Sequence, residues 1–227
     1  MKNINSVLLP GEFFKNNFIE KTEKLMTIKV DTVYLFDHGV NPADKNLDVY
    51  ELTDGIYKLN EVVNNKFSLG ACVLNINARP YQELFDKYIH KFLEIKNFKL
   101  GIGTGDDKFE KRTNFSNDIE KIIKEIVDSN KFKKNNISLF VGGNSEKILK
   151  LMEKFEIGIN QWIGTKNSFE EKEMQFSQIK HPKGNLSLCS LSDNPNFFDS
   201  KLNYEKIHVL KDSNRKIFFE TIDNIFR

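Results

Sequence analysis

Three observations predict an α/β chain folded as a (β/α)8 TIM barrel: short recurring apolar runs, helix-like stretches between them, and glycines gathered where the runs end. The runs are Ile4–Leu9, Thr32–Phe36, Phe67–Asn75, Phe98–Ile102, Ile137–Val141, Gly158–Ile163, Leu186–Leu191 and Lys206–Leu210. Most are apolar at consecutive positions, as strands of a parallel sheet covered on both faces require. An open doubly wound sheet is the alternative. Either architecture binds ligands at the carboxyl ends of its strands.

The intervening stretches carry helical periodicity. Tyr81–Ile95 sets Leu84, Phe85, Tyr88, Ile89 and Phe92 on one face, and Phe115–Val127 does so with Ile119, Ile122, Ile123 and Ile126. Ser145–Phe155 aligns Ile148, Leu149 and Met152, and Ser213–Phe226 aligns Ile217, Phe218, Ile222 and Ile225. After the seventh run, "SDNPNFFDSKLNY" is too short and irregular for a full helix, so the seventh helix is expected to be eroded. No Pro/Gly/Ser-rich linker divides the chain, which reads as a single domain over residues 1–227.

Composition narrows the function. Of 227 residues, 39% are apolar and 29% charged, and 34 basic against 32 acidic side chains leave a formal net charge of +2. Such a chain has apolar mass for a sizeable core and no electrostatic footprint for nucleic acid or an anionic membrane. No apolar run approaches a membrane span, and the first residues lack a signal-peptide core, so a cytoplasmic location is expected. Cys72 and Cys189 sit in apolar runs with no Cys-x-x-Cys partner or nearby His at metal-ligand spacing. Two buried free thiols and no metal are expected.

Gly11, Gly39, Gly101, Gly103, Gly105, Gly142, Gly143 and Gly164 all fall at or just after a run, where a ligand would lie. In "ISLFVGGNSEKILKLMEKF" a buried strand ends in Gly142-Gly143, and Asn144 or Ser145 can cap the helix that follows. Exposed N–H groups at that helix start suit a phosphate, although a tight capped turn explains the segment equally well. It is not a Walker loop, since no Gly-Lys-Ser/Thr follows. "LGIGTGDD" is not the dinucleotide fingerprint, and a loop needing several positive φ angles accounts for it as readily as a ligand does. "DTVYLFDHGVNP" ends a strand in Asp37-His38, a pair suited to proton transfer or to hydrogen-bonding a cofactor's polar edge; a capped turn with a solvated His is the simpler account. His90, His181 and His208 fall on a polar helix side, in a turn before Pro182 and within the last strand. No hydrolytic Ser-His-Asp or Cys-His constellation is legible.

Taken in order, these stretches resemble the luciferase-like monooxygenase superfamily, the barrels that include bacterial luciferase and deazaflavin-dependent reductases. "VYLFDHGVNP" is similar to the family strand ending in Ser-Asp-His. "KFSLGACVLNINARPYQELFDKYIHKFLEIKNFKLGIGTGDD" resembles its Leu-Gly-x-x-Val strand, Arg-x-Pro, helix and Leu-Gly-Val-Gly-x-Gly strand. "ISLFVGGNSEKILKLMEKFEIGINQWIG" resembles its later strand, Gly-Gly and helix. The resemblance implies FMN or a deazaflavin (coenzyme F420) as cofactor, with Gly101, Gly103, Thr104 and Gly105 beside its ring. Gly142, Gly143, Asn144 and Ser145 would hold its phosphate, and a non-prolyl cis peptide at Cys72–Val73 would lie behind the ring. Asp37 and His38 would be the catalytic pair, acting on a small organic substrate.

The departures are an absent insertion between "GIGTGDD" and "ISLFVGG", Lys96-Asn97 where Gly-Arg is usual, and Ile157-Gly158 where Asp-Gly is usual. They mark a member with shortened loops. The resemblance therefore implies a flavin- or deazaflavin-dependent monooxygenase or reductase, or else a non-catalytic flavin- or partner-binding protein on a reduced barrel. A phosphate-binding aldolase or isomerase is a third possibility, against which no lysine stands at a strand end for a Schiff base. Helix pairing in the family implies a homodimer.

Overall fold

The computed structural model describes residues 4–41, 43–105, 115–212 and 214–227. Its strands close into a parallel barrel in chain order: β1 (Ile4–Leu8), β2 (Thr32–Leu35), β3 (Ser68–Asn75), β4 (Lys99–Gly103), β5 (Ser138–Gly142), β6 (Gly158–Trp162), β7 (Leu186–Leu191) and β8 (Glu205–Val209). β8 pairs with β1 from Ile4–Glu205 through Leu8–Val209, which completes the ring. Each strand lies within a residue of the apolar run that predicted it. The barrel is closed, so the doubly wound alternative falls.

Around it run α1 (Phe18–Met26), α2 (Leu52–Val63), α3 (Tyr81–Leu84), α4 (His90–Phe92), α5 (Ile119–Asp128), α6 (Asn130–Lys134), α7 (Glu146–Phe155), α8 (Lys166–Phe176) and α9 (Arg215–Phe226). A π-helical turn, Phe85–Ile89, joins α3 to α4. α5 starts later than its periodicity predicts, because Asp118 accepts from the N–H groups of Glu120 and Lys121 and so fixes the helix start. Asp106–Asp107 of the glycine-rich stretch and Ser213 of the last predicted helix lie outside the described residues.

Between β7 and β8 no helix forms among the described residues. Phe198 and Tyr204 fill its place, their rings 6.0 and 4.8 Å from that of Phe169 in α8. Glu173 of α8 accepts from the N–H groups of Lys201 and Leu202, and the Tyr204 hydroxyl donates to the Phe198 carbonyl. The eroded unit is thus a pinned aromatic loop.

Two apolar cores result among the described residues. The larger lies between strands and helices, and the smaller fills the barrel with Leu8, Tyr34, Phe36, Cys72, Phe140, Cys189, Ile207 and Val209. At the amino-terminal end of the barrel, the buried Glu205 carboxylate accepts from Ser6 Oγ (2.5 Å), Tyr34 Oη (3.1 Å), Lys99 Nζ (3.0 Å) and Asn185 Nδ2 (3.2 Å). Burial and the Glu205 charge push the Tyr34 phenol well above its usual range, so it stays a donor.

Two outcomes follow from these buried groups. Glu205→Ala leaves Lys99 half-paired in a desolvated floor and should cost about 3–5 kcal/mol, read by urea denaturation. His208 packs between Phe197 and Phe226, with Nε2 3.3 Å from Asn5 Oδ1 and Nδ1 unpartnered. Burial, then the Lys206 charge, lowers its pKa to about 4. The unfolded imidazole titrates near 6.5, so between those values the unfolded chain binds more protons and stability falls as pH drops. His208→Gln should flatten that arm by about 2–3 kcal/mol in denaturation measured from pH 7 to pH 4.

Candidate functional site

At the carboxyl ends of β3 to β6 the barrel opens into a cavity of about 630 Å³, within the range that binds cofactors. Its first wall is β3. Alternation along a strand would turn neighbours to opposite faces. Here the ladder with β4 jumps from Ala71–Leu100 to Leu74–Ile102, and both Cys72 and Val73 reach the cavity. The Cys72–Val73 peptide is cis, as the family resemblance implies.

The second wall is bare backbone at the end of β4: Gly103, Thr104 and Gly105. A Cβ on Gly103 would sit 2.6 Å from Val73 Cγ2, so any side chain there would have to push Val73 aside. Thr104 is fixed from behind, since its carbonyl accepts from Asn77 Nδ2 at 3.0 Å. Asn77 Oδ1 in turn accepts from the Asn117 N–H, and Asn117 Nδ2 donates to the carbonyls of Ile76 and Arg79.

The third wall is Gly142, Gly143, Asn144 and Ser145, with Ile148 of α7 behind them. Gly143 has φ 121°, a conformation open to glycine. Ser145 caps α7 by accepting from the Ile148 N–H at 3.4 Å. The Ile148 N–H also reaches the Ser145 carbonyl at 2.9 Å, so the N–H groups of Glu146 and Lys147 are the ones left at the positive end of the helix dipole. Asn160 and Trp162 of β6 complete the cavity, with His38 at its rim stacked on Phe36 at 6.2 Å.

Of the residues expected at the site, all but Asp37 and Gly101 line this cavity. Asp37 makes a bidentate pair with Arg79, both N–O distances 2.8 Å, and accepts the Asn75 N–H at 2.9 Å. The Arg79 guanidinium lies 3.9 Å from the centre of the Tyr88 ring, whose hydroxyl donates to Glu51. Asp37 therefore clamps the loop after β2 to the segment after β3. Gly101 lies a layer deeper, where an added Cβ would be 2.5 Å from the Phe140 ring and 2.7 Å from the Ala71 carbonyl oxygen.

Asn160, Trp162 and Ile148 were not anticipated. For the first two a signal existed: a polar residue inside an apolar run, and the only tryptophan of the chain at the end of that run. Asn160 is buried, its Nδ2 donating to Ser187 Oγ at 2.9 Å and to Cys189 Sγ at 3.4 Å. Lys172 of α8 donates to its backbone carbonyl, and burial lowers the Lys172 pKa to about 8. Among the described residues no cluster of three His, Cys, Asp or Glu can hold a metal, and no helix is long and apolar enough to cross a membrane.

No protein-family model and no curated protein matches the chain. Among solved structures, it is similar to the coenzyme F420-dependent tetrahydromethanopterin reductase of Methanopyrus kandleri, with a TM-score of 0.57 over 83% of this chain. Identity is 14%, and the chain spans 66% of the reductase's length. The likeness is one of fold.

The Asp37–Arg79 clamp is testable. Arg79→Met keeps apolar bulk over Tyr88 but strands the carboxylate, and should cost about 3 kcal/mol in chemical denaturation. Arg79→Lys, which keeps the charge and loses the fork, should fall between that variant and wild type.

Proposed function

We propose that the chain is a luciferase-like oxidoreductase, a reductase or monooxygenase, that binds FMN or a deazaflavin in the strand-end cavity and acts on a small organic substrate. The observation that carries this reading is the convergence of glycine-walled strand ends and a capped helix N-terminus on one cavity of cofactor size. The fold likeness to a deazaflavin-dependent reductase supports the same class.

The residues present fit such a group. Gly103, Thr104 and Gly105 offer bare backbone to a flat ring, and Cys72 and Val73 would back it. The Gly142–Ser145 turn and the first N–H groups of α7 would hold a phosphate. Trp162 and Ile148 supply apolar contact. A bound flavin or deazaflavin would supply the hydride chemistry, while the protein binds, orients and moves protons. That last role falls to His38, because the Asp37 carboxylate is already spent on Arg79 and Asn75.

The same spent carboxylate favours a second reading, a flavin-binding protein without turnover. Absorbance titration with FMN and with coenzyme F420 tests both. Saturable binding of one is expected, and Gly142→Val, whose side chain would crowd Val73 and enter the cavity, should weaken it about tenfold or more with an unchanged far-ultraviolet circular dichroism spectrum. Binding without hydride transfer to any acceptor supports the second reading, and binding of neither cofactor defeats both.

A further inference from the structure

Cys72 and Cys189 stand 117 residues apart, on β3 and β7, strands that do not pair, yet their Sγ atoms are 3.8 Å apart inside the barrel. Both are reduced and buried. Their positions differ in one respect: Cys72 lines the cavity, whereas Cys189 lies behind it and is not part of the lining. Asn160, braced by Ser187 Oγ, meets the Cys189 sulfur with both amide atoms, Nδ2 donating at 3.4 Å and Oδ1 accepting from the thiol at 3.7 Å. A valine or leucine pair would fill the same space without a polar side chain to orient it. Here one thiol meets whatever enters the cavity, and the second faces the first with the Asn160 amide behind it.

We propose that Cys72 and Cys189 form a redox-active dithiol at the floor of the cavity, oxidised by a hydroperoxide to an intramolecular disulfide. The Cys72 sulfur attacks the distal peroxide oxygen. The O–O bond breaks, an alcohol leaves (water, from hydrogen peroxide), and Cys72 becomes a sulfenic acid. The Cys189 sulfur then attacks Cys72 Sγ, the S–O bond breaks, and water departs as the S–S bond forms. Two thiols and one hydroperoxide thus give one disulfide, one alcohol and one water. The sulfurs must close from 3.8 Å to about 2.05 Å, and because β3 and β7 stand on opposite sides of the closed barrel that approach draws in the backbone of both strands as well as the side chains. The hydrogen bond with Cys189 and burial hold the Cys72 thiol well above its ordinary range, so the first step is slow at neutral pH. The assignment does not depend on which cofactor the cavity binds.

The test uses the purified, reduced protein, freed of reductant and exposed to hydrogen peroxide or cumene hydroperoxide. It is then unfolded in iodoacetamide and read by intact-mass and peptide mass spectrometry. The expected product resists alkylation at both cysteines, weighs about 2 Da less than the reduced chain and yields a linked Cys72–Cys189 peptide that dithiothreitol releases. Non-reducing electrophoresis should show no covalent dimer. In Cys189→Ser the reaction should halt at the Cys72 sulfenic acid, trapped by a cyclic 1,3-diketone. In Cys72→Ser, Cys189 should stay reduced. Full alkylation of both thiols after peroxide, a disulfide between chains, or wild-type Cys72 passing to sulfinic acid with Cys189 unlinked would each overturn the proposal.

Discussion

A carboxylate buried where a barrel closes must be matched on every side, and Glu205 is matched by four separate parts of the chain. Ser6 comes from β1, Tyr34 from β2, Lys99 from β4, and Asn185 from the approach to β7. Lys99 also reaches Asp31 just ahead of β2, which carries the network to the rim. Desolvating these groups is costly unless all are paired, so the network penalises any slip of register around the barrel. The floor ties β1, β2, β4 and β8 to one register, and so bears on which of their residues reach the opposite end.

Above that floor, glycine serves two ends within a few residues. Gly70 and Gly101 give up their side-chain space to the rings of Tyr34 and Phe140, which meet edge to face at 6.1 Å and fill the barrel. Two residues beyond Gly101, Gly103 faces no such ring from a neighbouring strand, and the space beside it is the cavity. The same residue type makes a packed layer below and an open one above. What differs is whether a large side chain arrives from the next strand.

Polar contacts pin two sides of the cavity rim. Asp37, Arg79 and Tyr88 join the loops after β2 and β3, and Asn77 with Asn117 fastens the Thr104 carbonyl to the lead-in of α5. These side chains set the wall's position without entering the cavity. Asp37 is thereby committed to the clamp, while His38 lines the cavity.

The strands, a cap at Asn144 or Ser145, the eroded seventh unit and the glycines of the cavity wall were legible in the sequence, because each depends on a local pattern; Cys72 and Val73 came only with the family resemblance. Apolar runs mark buried parallel strands, and glycines mark where backbone must stay bare. What lay beyond reach were the pairings. Asp37 finds Arg79 42 residues on, Glu205 draws its partners from across the barrel, and Cys72 meets Cys189 from a strand with which it shares no ladder. Periodicity says which way a side chain points along its own strand. Which side chain it meets is decided by the order and stagger of the closed barrel, and only the tertiary structure holds that information.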